Sequence, residues 1–411
     1  MKFVYKKAVF EIKTIIELFD VCQIENIVAG LRLLPEKIVF VGFKEAMTGK
    51  RKQDLENFLK MRGINIKLEY EIVGRYDFNM IADKLNSILD SNPDSCFDLT
   101  GGKELVLAAI GLVAGERNVP MVQFDIKKGA LIPVKNSDGI IDNMNSDLTV
   151  EESVVLNGGA LVRDGMPWDM TDEFKADIET LWSICRRNCR HWNRQSNVFA
   201  SFEEFCGGGI YVDADLRYMR DKGADTYMNV DIIRELKDAG MISSCNIKPD
   251  RVTFRYKNQQ VYRCMTKAGN ILELYAYMTA NEINADSPGY YGDIEIGAVV
   301  DWDGKIHNLS YSAVDTTNEI DIFLMRGMVP VFVSCKNGTV YKEALYELDT
   351  VARKIGGKYA KKVLLTTYVT SDAESRKYLL TRAEDMNIEV VEGIHNMSRE
   401  DFASTLKRIT K

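Results

Sequence analysis

Between residues 37 and 125, short apolar runs alternate with amphipathic stretches, and this alternation restricts the fold more than any other feature of the chain. Lys37–Gly42 reads as a buried strand closed by glycine. Residues 53–61 read as a helix stopped at Gly63, 65–73 as a strand, and 78–89 as a helix. Residues 95–99, 103–117 and 119–125 continue as strand, helix and strand. A first strand over residues 7–12 and a helix over 24–34 extend the pattern backward. Such alternation predicts a parallel sheet with helices on both faces. Sheets of that kind bind ligands beyond the carboxyl ends of their strands.

One of those ends carries chemistry. Asp98-Leu-Thr-Gly-Gly-Lys103 runs from a strand through a glycine pair into an apolar helix. Backbone N–H groups exposed at a helix start suit a phosphate, and Thr100 and Lys103 add a hydroxyl and a charge. It is not a Walker loop, because the earlier glycine is missing and Glu104 stands where Ser or Thr belongs. On spacing alone a tight turn with a solvated lysine describes it equally well.

A chain of 411 residues is long enough for two or three domains. The formal net charge of −7 argues against a general electrostatic coat for nucleic acid and leaves room for a local basic groove. Eight cysteines without a CxxC pair, and three histidines, argue against structural zinc and for reduced thiols in a cytoplasm. No signal peptide or membrane span is expected.

Polar, turn-rich residues 136–147 set a boundary near 150. In the following segment, 151–265, Thr171-Asp172-Glu173 starts a helix that carries Arg186, Arg187, Arg190, His191 and Arg194. Residues 252–264 read as a hairpin with Lys257-Asn258 near its tip. A helix followed by a basic hairpin resembles a winged helix, a DNA-reading module; a packing insert belonging to the next domain is the other reading.

The third segment, 266–411, centres on residues 318–338, two apolar runs around Arg326-Gly327, which predict a β-hairpin. Glu319 and Asp321 lie two apart on one face of the first strand, and antiparallel pairing returns Lys336 beside them. Carboxylates and a lysine meeting there suit a divalent metal and an attacking water; a surface ion pair is the simpler reading. Upstream lies a helix over 271–278 bearing Glu273, then a strand over 293–301. Downstream follow a helix over 343–354, a strand over 361–367, a helix over 373–387, a strand over 388–392 and a helix over 398–409. Lys342, Arg353, Lys354, Lys358, Lys361 and Lys362 gather near one helix and its exit, as a backbone-tracking groove or a solvated basic face.

These motifs resemble known families. Residues 98–103 are similar to the CARF signature, Asp-x-(Ser/Thr)-Gly-Gly between strand and helix. The resemblance covers residues 1–150 and implies a Rossmann-like sensing domain that binds cyclic oligoadenylate across a homodimer two-fold. It implies ligand contacts from Thr100, Gly101, Gly102 and Lys103, and from strand-end loops including Gln23 and Asn26. The 266–411 pattern resembles the PD-(D/E)xK nuclease core, a restriction-endonuclease-like α/β fold. That resemblance makes Asp321 and Lys336 the motif Asp and Lys and Glu273 the helix acid. It implies a metal held by Asp321, Glu273 and the Cys335 carbonyl. Ser334 departs from the pattern, standing where a carboxylate is usual. Joined, the two parts resemble the ancillary nucleases of type III CRISPR defence. This implies activation by cyclic tetra-adenylate and Mn²⁺- or Mg²⁺-dependent cleavage of single-stranded or nicked DNA, with single-stranded RNA as a further candidate. The alternative is a non-catalytic cyclic-nucleotide sensor that binds DNA and carries a degraded nuclease core.

Overall fold

The structure, a computed structural model, describes residues 12–137, 139–143, 146–163, 167–304 and 317–411. Its strands are β1 Thr14–Leu18, β2 Lys37–Gly42, β3 Lys67–Ile72, β4 Ser95–Asp98, β5 Met121–Asp125, β6 Ala130–Lys135, β7 Ala160–Val162, β8 Tyr211–Asp215, β9 Ile242–Lys248, β10 Arg251–Tyr256, β11 Asp293–Asp301, β12 Thr317–Arg326, β13 Val329–Lys336, β14 Lys361–Thr366 and β15 Ile388–Glu392. Its helices are α1 Val28–Leu33, α2 Gly49–Met61, α3 Phe78–Ser91, α4 Glu104–Arg117, α5 Val150–Leu156, α6 Asp172–Arg187, α7 Cys189–Cys206, α8 Leu216–Asp221, α9 Val230–Asp238, α10 Gln259–Thr266, α11 Asn270–Asp286, α12 Lys342–Gly356, α13 Ala373–Asp385 and α14 Arg399–Ile409.

The alternating N-terminal pattern folds as expected, into a six-stranded sheet of order β3-β2-β1-β4-β5-β6. Neighbouring strands are parallel except for β6, which returns antiparallel on β5. The strand at Thr14–Leu18 was not expected. Ile12 precedes it and residues 7–11 lie outside the described residues, while β1 is Thr-Ile-Ile-Glu-Leu, buried at every position. A central parallel strand is covered on both faces, so its sequence does not alternate and its one acid, Glu17, goes inside.

The second six-stranded sheet has the order β15-β14-β13-β12-β11-β7. The β12–β13 hairpin forms as predicted, with Arg326 opposite Val329. Beyond it β13, β14 and β15 run parallel. One face of this sheet shares a continuous core with the middle segment, from Phe174 to Ile409. The other shares a core with the first sheet, from Ile15 to Ile388. The 150 boundary therefore divides the chain in composition while the apolar packing runs across it.

The hairpin expected at 252–264 is a strand followed by a helix. Asn258 accepts from the Val261 N–H and starts α10, whose Val261, Tyr262, Cys264 and Met265 are buried at helical spacing. The true hairpin is β9–β10, which joins β8 in a three-stranded sheet. Lys257 is drawn back onto α6, 2.7 Å from Asp177 and 2.9 Å from Glu173. That pairing removes the basic wing tip on which a DNA-reading role for this segment rested. The arginine run on α6 and α7 is largely engaged as well. Arg187 pairs with Glu235, Arg194 pairs with Asp225, and Arg186 donates to the His395 carbonyl.

All eight cysteines are free. Among the described residues no helix is long and apolar enough to cross a membrane.

Candidate active site and ligand loop

The far end of the β12–β13 hairpin brings the predicted acids and lysine together. Asp321 is the hub. Its Oδ2 accepts from the Cys335 N–H at 2.6 Å and the Ser334 hydroxyl at 3.2 Å, and lies 3.6 Å from the Lys336 ammonium. Antiparallel register explains the meeting: Ile322 pairs with Val333, so Asp321 falls beside Ser334 and Cys335. Ser334, which replaces the motif carboxylate, serves as a hydrogen-bond donor to the neighbouring acid.

Glu273 reaches the same place from the first turn of α11. It is 6% exposed, and its carboxylate folds back over the helix start. A Cβ on Gly269 would stand 2.6 Å from its Oε1, so a side chain there would push the carboxylate aside. Burial first, and then the charge of Asp321, pushes the Glu273 carboxyl up to about 7, while Lys267 and Lys336 pull it back. Two carboxylates that repel in a half-closed pocket form a site a cation would relieve.

The pocket around them measures about 480 Å³. Three of its lining residues were not singled out in the sequence. Lys267, in the loop before α11, pairs with Glu319 at 2.9 Å and so answers the spare acid. Asn193 comes from α7 and donates to the Asn337 carbonyl, which makes the middle segment part of the pocket wall. Glu347 enters from α12. No short motif marks these positions, since each arrives from a different element.

Whether a metal fits can be judged from the donors. Two carboxylates and a carbonyl are hard oxygen ligands of the kind Mg²⁺ and Mn²⁺ take. Among the described residues no group of three His, Cys, Asp or Glu side chains is arranged to hold a metal ion. The side chains that converge are Asp321 and Glu273, with Cys335 also on the pocket wall. The Cys335 thiol is no candidate, because burial and the two neighbouring acids raise its pKa further.

The second expected site, at the carboxyl end of the first sheet, is built around Asp98. Its Oδ1 accepts from the Thr100 N–H at 3.0 Å and from the Thr100 hydroxyl at 2.5 Å. That hydroxyl in turn accepts from the Phe124 N–H at 2.9 Å, fastening β4 to β5. Gly102 sits at φ +136, and a Cβ there would meet Leu18 and Leu107 at 3.1 Å. Gly102→Ala should accordingly destabilise the chain by about 1–3 kcal/mol, read by denaturant unfolding, and distort the loop. Gly101 is half-exposed, and Lys103 is exposed at the start of α4 without a side-chain cap.

Gln23 and Asn26, expected as ligand contacts, are buried and otherwise engaged. Gln23 donates to the Arg51 carbonyl and accepts from Asn26, and Asn26 also donates to the Asp20 carbonyl. There they shape the β1–α1 loop. Short polar side chains bond readily to nearby backbone, which the sequence does not distinguish from a surface role.

No protein-family model matches the chain, and no curated protein matches it. Solved structures do. The protein VC1899 of Vibrio cholerae has a TM-score of 0.73 at 15% identity, over 96% of this chain and 97% of its own. Can2 from Sulfobacillus thermosulfidooxidans, in complex with cyclic tetra-adenylate, has a TM-score of 0.68 at 15% identity, over 97% and 96%. A type III CRISPR defence DNA nuclease activated by cyclic oligoadenylate has a TM-score of 0.45 at 14% identity, covering 87% of this chain and 46% of that one. The chain has the fold of the first two from end to end.

Proposed function

We propose that this protein is a cyclic-oligoadenylate-activated, metal-dependent nuclease of type III CRISPR defence, acting as a homodimer on DNA and on single-stranded RNA as a second substrate class. The observation that carries the reading is the convergence of Glu273, Asp321 and Lys336 on one pocket. The end-to-end fold shared with a structure holding cyclic tetra-adenylate supports the sensing half. In this reading residues 1–150 sense the ligand, 151–265 link and help wall the catalytic pocket, and 266–411 form the nuclease core.

Glu273, Asp321 and the Cys335 carbonyl would hold the Mn²⁺ or Mg²⁺. When bound, such an ion supplies Lewis-acid charge at the scissile phosphate and acidifies a water. Lys336, 38% exposed along its side chain, is placed to orient the attacking water and offset charge on the phosphorane-like transition state. Ser334 and the Cys335 N–H fix the Asp321 carboxylate, so its rotamer is set before substrate arrives. Activator on the Thr100–Lys103 loop would work only through a difference in affinity between two arrangements of the lobes.

The test is cleavage of labelled single strands and nicked plasmid with Mn²⁺, with and without cyclic tetra-adenylate. Expected is metal-dependent cutting stimulated by the activator. Tight activator binding without cutting under any divalent metal would leave the non-catalytic sensor, which Ser334 favours, as the better account.

A further inference from the structure

The basic residues at the exit of α12 take no part in the catalytic pocket. They wall a separate cavity of about 870 Å³, completed by Lys127 from the turn after β5. Its floor is the other end of the nuclease sheet. Arg326 closes the β12–β13 turn and Lys361 opens β14 opposite Val331, whereas Lys336 lies opposite Thr366. Five residues of strand separate the two ends, roughly 16 Å.

The cavity is unbalanced in charge. Lys127, Arg326, Arg353, Lys358, Lys361, Lys362 and Lys411 line it, against Glu389, with Lys362 held by Asp349. Some of these cations are spoken for: Arg353 by Asp349 at 2.8 Å and Lys358 by Glu25 at 2.7 Å. Lys361 donates to the Lys411 backbone oxygen, and the Arg326 guanidinium rests 4.8 Å above the Tyr290 ring. Glu389 is itself 3.8 Å from Arg408. Among the described residues no Asp or Glu side chain pairs with Lys127, Arg326 or Lys361, although Lys361 is held by the Lys411 backbone oxygen. Burial, then the charge of Arg326, lowers the Lys361 ammonium; Glu389 opposes this and Lys127 adds to it. Cations crowded into a concave site without a matching anion create a field that concentrates anions.

We propose that this cavity binds a phosphate-bearing anion of nucleotide size between Lys127 of the first lobe and Arg326 and Lys361 of the second. Its volume lies within the roughly 300–1,000 Å³ range of small-molecule sites. The site contains neither the Thr100–Lys103 loop nor the catalytic residues, so it goes beyond the reading above. It is nevertheless wired to that loop. Lys358 and the Tyr359 hydroxyl both hold Glu25 Oε1 at 2.7 Å, and the Glu25 Cβ lies 3.2 Å from where a Cβ on Gly101 would stand. An anion that draws Lys358 toward the cavity loosens its grip on Glu25, beneath the ligand loop.

The experiment uses the full chain and calorimetry with inorganic tripolyphosphate, ATP, a short oligothymidylate and cyclic tetra-adenylate. Expected is binding of tripolyphosphate and ATP that weakens steeply with salt. Arg326→Gln with Lys361→Gln should cut it at least about tenfold while cyclic tetra-adenylate binding stays within about twofold. Unchanged tripolyphosphate binding in the double variant overturns the proposal. So does stoichiometric displacement of tripolyphosphate by cyclic tetra-adenylate, which would make the cavity part of the activator site. Binding of the oligothymidylate alone also overturns it, in favour of a strand groove. Should the double variant fold poorly, Lys127→Gln on the exposed turn is expected to lower affinity about threefold. Activator binding and strand cleavage are scored separately, so failure of the nuclease reading leaves this test intact.

Discussion

Asp321→Asn should lower metal-dependent strand cleavage by about a thousandfold while leaving cyclic tetra-adenylate affinity and the melting temperature nearly unchanged. The effect follows from what the carboxylate touches. Its Oδ2 already holds the Cys335 N–H, the Ser334 hydroxyl and the Lys336 ammonium. Asparagine keeps the shape and forfeits the charge that a cation and Lys336 both require. The fold should tolerate the change, because losing Asp321's charge also removes a repulsion on buried Glu273. Lys336→Ala should cost a similar factor in turnover yet retain Mn²⁺ affinity, which calorimetry separates. Glu319→Gln should change either quantity by less than about threefold, since that exposed acid is answered by Lys267. Cleavage that survives intact in Asp321→Asn would remove the catalytic assignment.

The second large effect lies under the ligand loop and is read through pH. Glu17 faces Asp98 across neighbouring parallel strands, with Cα partners in register. Both Glu17 oxygens and Asp98 Oδ2 lack a hydrogen-bond partner among the described residues. Burial, reinforced by Asp98, raises the Glu17 carboxyl well above its ordinary range, and burial lifts Asp98 to about 6. A proton retained on Glu17 lets it donate to Asp98 and satisfies both groups. The native state therefore binds more protons than the unfolded chain from about pH 4 upward, through about 6 for Asp98 and beyond that for Glu17. Stability must then fall as pH rises through that range. Glu17→Gln keeps a donor without the titration. It should flatten the slope of unfolding free energy against pH from 4.5 to 7.5 and raise the melting temperature at pH 7.5 by roughly 2 °C. An unaltered slope in the variant would show that the pair does not titrate as described.

The two candidate sites differ in how they were foreseeable. Asp321 and Lys336 were legible because one hairpin carries both, and a hairpin's register follows from its turn. Glu273 was legible as an acid among apolar neighbours in a helix that packs on that hairpin. Lys267, Asn193 and Glu347 were not, because they converge on the pocket from a loop and two helices distant in sequence. Gln23 and Asn26 have side chains that suit ligand binding and loop bonding alike; the structure shows the loop bonding, to Arg51 and Asp20, which no local pattern announces.

Apolar periodicity by itself determined the parallel N-terminal sheet, the β12–β13 hairpin and the order of elements after residue 266, since the period of each apolar stretch is a local property that identifies its element. Tertiary structure decided the rest. It placed β1, hidden because a strand buried on both faces does not alternate. It turned 256–266 from a hairpin arm into a capped helix and tied Lys257 back to α6. It also set Lys127 beside Arg326 and Lys361, residues some 200 positions apart in sequence, in one cavity. Charges so distant share a field only once the lobes pack, and no local pattern encodes that meeting.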